Sequence, residues 1–366
     1  MPNMQSICYV SLELGVVADQ LGGKTHIEGV LEAMQDSFNV TLATVDAGLV
    51  SGRFQPINMP SSRHQFYFKL FKMMWSDRYA VFLMRKTIGG LWAVNIFNTF
   101  ISLFGRRKKV IFEFNGISGD FRFDSGIPRL VLTWLNLAPL SLGGGVYAVN
   151  ENIAKRVLSN CFSKSCRVVV GENGCFSKIG NFKRQAKDEA EGVTFFFFGA
   201  DQAKYHLTWF LDAFCRFDPA MTKRVLLIGR GLEKYEHYPY VEAVGHLTLR
   251  EFVEFVQQER TRNSWGVVPL DRLPSGSDVV PIKSMDYLSA GLPIIHSDTC
   301  LGAFEDSPSF LSYRNGDVES IESVFSSCIL DESERSEIDR DIARLVHENS
   351  WTVKLKPVRD LICELC

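Results

Sequence analysis

The run "VTFFFFGA" at 193–200 is apolar on both faces of an extended chain and ends on glycine. A strand without polar alternate positions is stable only where both faces are covered, as in a parallel sheet flanked by helices. The same grammar recurs along the chain. In the first half, "ICYVSLE" (7–13) reads as a strand, Gly22-Gly23 as a turn and "THIEGVLEAMQD" (25–36) as a helix. "NVTLATVD" (39–46) and "KVIFEFNG" (109–116) are further strands, "GGVYAVNENIAKRVLSN" a strand then a helix, and "CRVVVGENG" a strand then a turn. After 193 the pattern begins afresh: helix "KYHLTWFLDAFCRF", strand "KRVLLIGRG" (223–231), helix "TLREFVEFVQQ", strand "SWGVVPL", a short helix and strand "GLPIIHSD". Each half therefore predicts an α/β domain, and 366 residues exceed one ordinary core. The polar stretch "KRQAKDEAEG" (183–192) reads as the linker, which sets domains at 1–182 and 193–345. Near the end, "DESERSEIDRDIARLV" is a helical run, and Pro357 breaks the segment that follows it.

Hydrophobic residues at 46% and charged residues at 22% exclude a disordered chain. The net charge of −2 conceals an asymmetry: residues 1–180 carry 19 Lys and Arg against 12 Asp and Glu, and the remainder 21 against 30. Segment 60–109 alone holds 10 basic residues and one acid, Asp77, among many aromatics. Basic and aromatic residues together point to an anionic membrane surface or to nucleic acid. The segment is expected to form helices, aromatic on one side, with Arg106, Arg107, Lys108 and Lys109 facing lipid head groups. Lys69, Lys72, Arg78, Arg85 and Lys86 are expected there too. The rest of the chain is acidic and lacks a nucleic-acid motif, so no nucleic-acid partner is expected.

Nine scattered cysteines argue against a secreted disulfide framework. The terminal "CELC" (363–366) lacks the strand–helix setting of a redox motif, and Glu364 fits prenylation poorly. "MPNMQSICYVSLE" lacks a basic start, and "IGGLWAVNIFNTFISLFG" (88–105) contains two asparagines and is short for a span. A cytoplasmic protein lying on the membrane, not through it, is expected.

The stretch "SDVVPIKSMDYLSAGLPIIHSD" (277–298) carries the most chemistry. It reads as a short helix with Pro281 at its first position, Gly291 past its end and Pro293 barring continuation. Val280, as N-cap, has no oxygen to offer the first backbone N–H groups. A helix end with free donors, Lys283 and a carboxylate suits phosphate attached to a sugar. The alternative is a surface ion pair between Lys283 and Asp286, three residues apart.

With "PIKSMDYLSAGLPII" and Asp278, this stretch resembles the donor-site signature of GT-B nucleotide-sugar glycosyltransferases, above all the retaining bacterial enzymes of polysaccharide assembly. That signature has two glutamates seven residues apart, or Pro-x-Lys-x-x-Glu-Tyr before Gly-x-Pro. Asp286-Tyr287 stand for Glu-Tyr and Asp278 for the first glutamate, each aspartate one methylene short. Other segments resemble the family in order. "LGGKTHIEGVLEAM" is similar to the Gly22-Gly23 loop that approaches the donor diphosphate. "FEFNGISGD" resembles an acceptor-side loop, "FFFFGADQAKYHLTWFLDAF" the phosphate-lysine segment with Lys204, and "HENSWTVKLKPVRDLI" the closing helix. The family's arginine after "FFFFG" is absent; Ala200 and Asp201 stand there. The resemblance implies two Rossmann-like α/β domains facing a central cleft, with a C-terminal helix (346–366) crossing back to the first domain.

It also implies the roles. Lys204, Lys283, Asp286, Tyr287, Gly22 and Gly23 would bind the donor, with Gly229 and Gly231 forming the nucleobase-side turn. No cofactor and no metal are expected, since fixed cations would meet the charge of the departing diphosphate. Asp278 and Asp120 are the catalytic candidates. A retaining enzyme would let the diphosphate take the acceptor proton; an inverting one would promote Asp120 to base. Plainer readings stand beside these: Lys204 as a helix-start lysine, Gly22-Gly23 as a turn, Asp120 as a loop aspartate and His26 as a solvated or capping histidine. The expected function is transfer of a sugar from a UDP- or GDP-linked donor to a membrane-associated acceptor, a polyprenyl-diphosphate-linked saccharide, in polysaccharide biosynthesis. The alternatives are a non-transferring nucleotide-sugar epimerase and a degenerate nucleotide-binding or scaffolding protein.

Overall fold

The computed structural model describes residues 4–11, 21–47, 50, 53–85, 87–115, 131, 134–135, 137–138, 140, 145–160, 166–177, 192–202, 205–218, 223–270, 281–298, 304 and 306–366. Lys86, Asp120, residues 183–191 of the linker, Lys204 and Asp278 lie outside the described residues. The chain forms two compact units. One gathers Met1–Asp19, Gly23–Glu172 and Trp351–Cys366, and the other Gln20–Gly22 and Asn173–Ser350.

The first unit contains β1 (Ser6–Val10), α1 (Leu21–Met34), β2 (Asn39–Thr44), β3 (Gln55–Asn58), α2 (Arg63–Trp75), β4 (Val81–Arg85), α3 (Ile88–Ser102), β5 (Lys109–Phe114), β6 (Gly145–Ala148), α4 (Glu151–Asn160) and β7 (Arg167–Val170). Its sheet runs β3-β2-β1-β4-β5-β6-β7, every pairing parallel. Two expectations change here. Gly22 and Gly23 belong to the first turn of α1 instead of preceding it. Segment 60–109 is not all helix: Val81–Met84 are buried on both faces and form a central strand between β1 and β5. Four consecutive apolar residues are what an interior parallel strand requires.

The second unit contains β8 (Val193–Phe198), α5 (Leu207–Arg216), β9 (Lys223–Ile228), β10 (Val241–Gly245), α6 (Leu249–Glu259), β11 (Asn263–Val268), α7 (Ile282–Ser289), β12 (Ile294–Ser297), β13 (Phe310–Tyr313), α8 (Val318–Ser326) and α9 (Glu332–Glu348). Its sheet runs β10-β9-β8-β11-β12-β13, again parallel throughout. All six residues of β8 are buried, as its unbroken apolar run requires. Helix ends follow local chemistry. Thr248 with Glu251 and Asp331 with Glu334 form reciprocal capping boxes that satisfy the first N–H groups of α6 and α9. At the other end of α5 the Lys223 ammonium donates to the carbonyls of Phe214 and Phe217, closing the helix with a cation.

Strand order reverses once in each sheet, between β1 and β4 and between β8 and β11. In open parallel sheets the carboxyl ends of the strands at such a reversal are where ligands bind. No helix among the described residues is long and apolar enough to cross a membrane.

The chain closes with α10 (Trp351–Lys354) and α11 (Lys356–Leu365), both in the first unit. Pro357 stands in the first turn of α11, so the break expected there occurs between these helices. Trp351 is fully buried, and its indole takes the volume that a side chain at Gly29 would need. A Cβ at Gly29 would lie 1.9 Å from Trp351 Cε2. Gly29→Ala is therefore expected to destabilise the chain by about 3 kcal/mol, the upper range of overpacking. In urea titrations, adding Trp351→Phe to Gly29→Ala should recover part of the loss.

Candidate functional site

In the second unit, three neighbouring strands end on glycine at the carboxyl edge of the sheet. Gly199, Gly229 and Gly245 follow or end β8, β9 and β10 with φ of 142°, 156° and 90°. They are linked through the backbone, Gly199 N–H donating to Ile228 O and Gly229 N–H to Gly245 O, both at 2.8 Å. The approach is close enough that a Cβ at Gly229 would lie 2.0 Å from Gly199 O. Glycine is required there by space as well as by φ. Gly231 (φ 73°) turns the chain into a short 3-10 helix, Glu233–Tyr235.

Helix α7 delivers Lys283 to this edge. Pro281 is its N-cap, one residue later than expected, with no side-chain cap bond; like valine, proline has no oxygen to offer. Gly291 follows the C-cap with φ 75°, as a helix-ending glycine does. The Lys283 ammonium donates to Phe198 O and rests over the rings of Phe197 (4.5 Å) and Tyr205 (4.7 Å). It fills the space of the missing Gly199 side chain, whose Cβ would lie 1.7 Å from Nζ. Lys283 and Asp286 are 8% and 3% exposed, which excludes the surface ion pair. The structure thus brings Lys283, Gly229 and the β8 exit together at the strand-order reversal, with Asp286 one turn further along α7.

Tyr287 does something other than expected. Its hydroxyl donates to Val267 O (3.0 Å) and accepts from Phe198 N–H (2.8 Å), so it ties β11 to β8 across the reversal. The ring fits because residue 266 is glycine, whose Cβ would fall 2.4 Å from Tyr287 Cγ. Burial pushes the phenol well above its ordinary range, so the hydroxyl stays protonated as a donor. Fully enclosed, Tyr287 acts as a brace in this structure. Asp201, where the family's arginine would stand, holds Lys234 (2.5 Å) and the Tyr235 hydroxyl (3.0 Å). It fastens the β8 exit to the turn after β9, and this hydrogen bond raises the Lys234 ammonium above its ordinary pKa.

The first unit has its own constellation at the β1/β4 reversal. Glu113 of β5 is fully buried in a ring of donors. Tyr9 O–H donates to Oε2 (2.7 Å), Asn115 Nδ2 to Oε1 (2.8 Å), and His26 Nε2 lies 3.0 Å from Oε1. Arg85 Nε stands 3.7 Å from the same oxygen while its Nη1 donates to Gly23 O (3.2 Å). Burial works to raise the Glu113 carboxyl, but the His26 and Arg85 charges and the hydrogen bonds outweigh it and hold it down to about 2. Burial, with Glu113 next, drives the Tyr9 phenol upward, so it remains a donor. An ionised carboxylate with both oxygens engaged is a weak base and a strong anchor. Through Arg85 it fixes the glycine-bearing first turn of α1.

Sequence reasoning missed this group. His26 is buried against Glu113, Tyr147 and Trp351, neither solvated nor a cap. Arg85 turns inward to Glu113 instead of facing lipid. The one signal was an acid inside the apolar run "KVIFEFNG". On the membrane-facing residues the structure divides the set. Lys108 is 10% exposed and pairs with Asp77 at 3.1 Å, so it anchors the fold instead of facing outward. Arg106 lies 4.0 Å from Asp77 and over the Trp75 ring, while Arg107 and Lys109 are exposed.

No protein-family model matches the chain, and no curated protein does. Solved structures do. A sucrose-phosphate synthase from Thermosynechococcus elongatus superposes with a TM-score of 0.68 at 13% identity, covering 99% of each chain. Anabaena HepE in complex with UDP and glucose gives 0.66 at 10% identity over 98% of this chain and 100% of that one. The lipopolysaccharide outer core galactosyltransferase WaaB, in its apo form, gives 0.61 at 12% identity over 99% and 100%. Agreement over whole chains, with two doubly wound parallel sheets, gives this protein the two-domain α/β GT-B fold of the nucleotide-sugar glycosyltransferases.

Proposed function

We propose that the protein is a glycosyltransferase that takes a sugar from a nucleotide donor, UDP- or GDP-linked, and delivers it to a membrane-associated acceptor. The observation that carries the donor half is Lys283, a buried ammonium at the strand-order reversal of the second unit beneath an edge made of glycine. Such an edge lets a diphosphate approach the backbone, and a fixed cation in a dry setting stabilises the charge that develops as it leaves. Lys283 and, by resemblance, Lys204 would supply that charge, so the reading invokes no metal or cofactor. Asp286, one turn away, would accept hydrogen bonds from the ribose hydroxyls, and Gly229 and Gly231 would border the base. Asp278 and Asp120 remain the proposed catalytic carboxylates. HepE, of the same fold, binds UDP and glucose together, which supports a nucleotide-sugar donor here.

The acceptor half rests on the basic and aromatic region of the first unit, which suits a polyprenyl-diphosphate-linked saccharide in polysaccharide assembly. The enzyme would then work peripherally on the cytoplasmic face of the membrane. A panel of UDP- and GDP-sugars, scored for release of nucleoside diphosphate, tests the donor reading. One donor should be turned over well above the others. Asp286→Asn should raise its Michaelis constant about tenfold, from loss of a charge-assisted contact, while Asp286→Glu retains activity. Binding of a nucleotide sugar with no release, even when acceptor lipids are supplied, would instead identify a scaffolding protein.

A further inference from the structure

The α2–α3 pair carries an aromatic cluster that does not end at the surface. Phe71, Trp75, Phe97, Phe100 and Phe104 are linked in a chain of ring contacts between 5.1 and 6.3 Å. The inner end is packed on the core of the first unit, whereas the outer end is open: Phe100 is 47% exposed and Phe104 58%. Leu103, in the turn that closes α3, is the most exposed large apolar residue described, at 77%. Phe68 on α2, 59% exposed, lies beneath the Lys72 ammonium at 4.5 Å. Single exposed apolar residues are ordinary, but a contiguous aromatic and aliphatic patch at one tip is not.

Charge identifies the occupant. Between Asp46 and Glu113 the sequence has one acid, Asp77, and that acid is engaged by Lys108 and Arg106. The tip is bordered instead by Arg106 and Arg107, both exposed, and Lys72 is exposed on α2. Apolar residues in a turn beneath a basic border fit an anionic bilayer, whose acyl boundary takes the rings and whose head groups take the cations. We propose that the turn Leu103–Phe104, with Phe100 beside it, inserts into the interface of an anionic membrane. Insertion of these side chains holds the protein there, and the arginines and Lys72 recruit it. Lys108 and Arg85 take no part, being largely enclosed as well as paired, whereas Arg106 stays half exposed beside Asp77. The inference rests on the membrane-acceptor reading and gives it a surface.

The test is sedimentation of the full chain with phosphatidylcholine vesicles, with and without phosphatidylglycerol, in the absence of donor and acceptor. Binding is therefore scored independently of sugar transfer, and either reading can fail without the other. Wild-type protein should bind the anionic vesicles, and L103S/F104S should lower the partition coefficient at least about tenfold with an unchanged melting curve. R106E/R107E should also weaken binding, and salt should weaken it in the wild type. No wild-type binding at low salt overturns the proposal. So does binding that the serine pair leaves intact, because the attachment would then lie elsewhere. A wild-type dimer that the serine pair converts to monomer, without vesicle binding, would make the occupant a second copy of the chain and overturn it as well.

Discussion

Lys283→Ala is expected to weaken UDP or GDP binding about ten- to a hundredfold and to abolish most sugar transfer. A hydrogen bond to a charged group contributes about 1.5–3 kcal/mol, and each 1.4 kcal/mol is tenfold in affinity. The ammonium also packs on Phe197 and Tyr205 and binds Phe198 O, so truncation carries a cost in stability; an unfolding curve on the same sample separates the two. Gly199→Ala asks the question in another way. It keeps the lysine but drives a methyl into the position of Nζ, at a backbone φ of 142° that alanine rarely adopts. Loss of diphosphate affinity in both folded variants, measured by calorimetry, supports the site. Wild-type affinity in folded Lys283→Ala removes Lys283 from it.

Glu113→Ala is expected to be among the most destabilising single changes, at about 3–5 kcal/mol, because it leaves Arg85 and His26 at a buried site without their carboxylate. The pH dependence is sharper evidence. The carboxyl lies at about 2 in the folded chain against an ordinary 4.5. A depressed acid contributes its stability fully above the unfolded value and loses it as the pH falls through the folded one. The contribution is therefore intact above about pH 5 and is lost between 4.5 and 2. The shift corresponds to about 3 kcal/mol. Urea midpoints from pH 6 downward should fall less steeply in Glu113→Gln than in the wild type. Equal slopes would mean that Glu113 is not held ionised by its neighbours.

Two α/β domains were legible in the sequence because strand and helix periods are local. "VTFFFFGA", "KRVLLIGRG" and "KVIFEFNG" each announce a buried strand, and glycines at the ends of the first two mark sharp turns. The resemblance around "PIKSMDYLSAGLPII" singled out α7, and the structure sets its lysine at the strand-order reversal. What the sequence could not determine is which polar side chains the fold would enclose together. Glu113 is separated from Tyr9 and His26 by 104 and 87 positions, and only the pairing of β1, β4 and β5, with α1 packed on them, assembles the group. Arg85 looked like one cation of a basic surface until β4 turned out to be a central strand that carries it inward. Tyr287 read as a ligand contact, yet the gap left by Gly266 on a neighbouring strand draws it into the core. Local pattern fixes where strands and helices form, because backbone hydrogen bonding and apolar period are properties of a few adjacent residues. Burial of a charge depends on partners distant in sequence, so only the tertiary structure decides it.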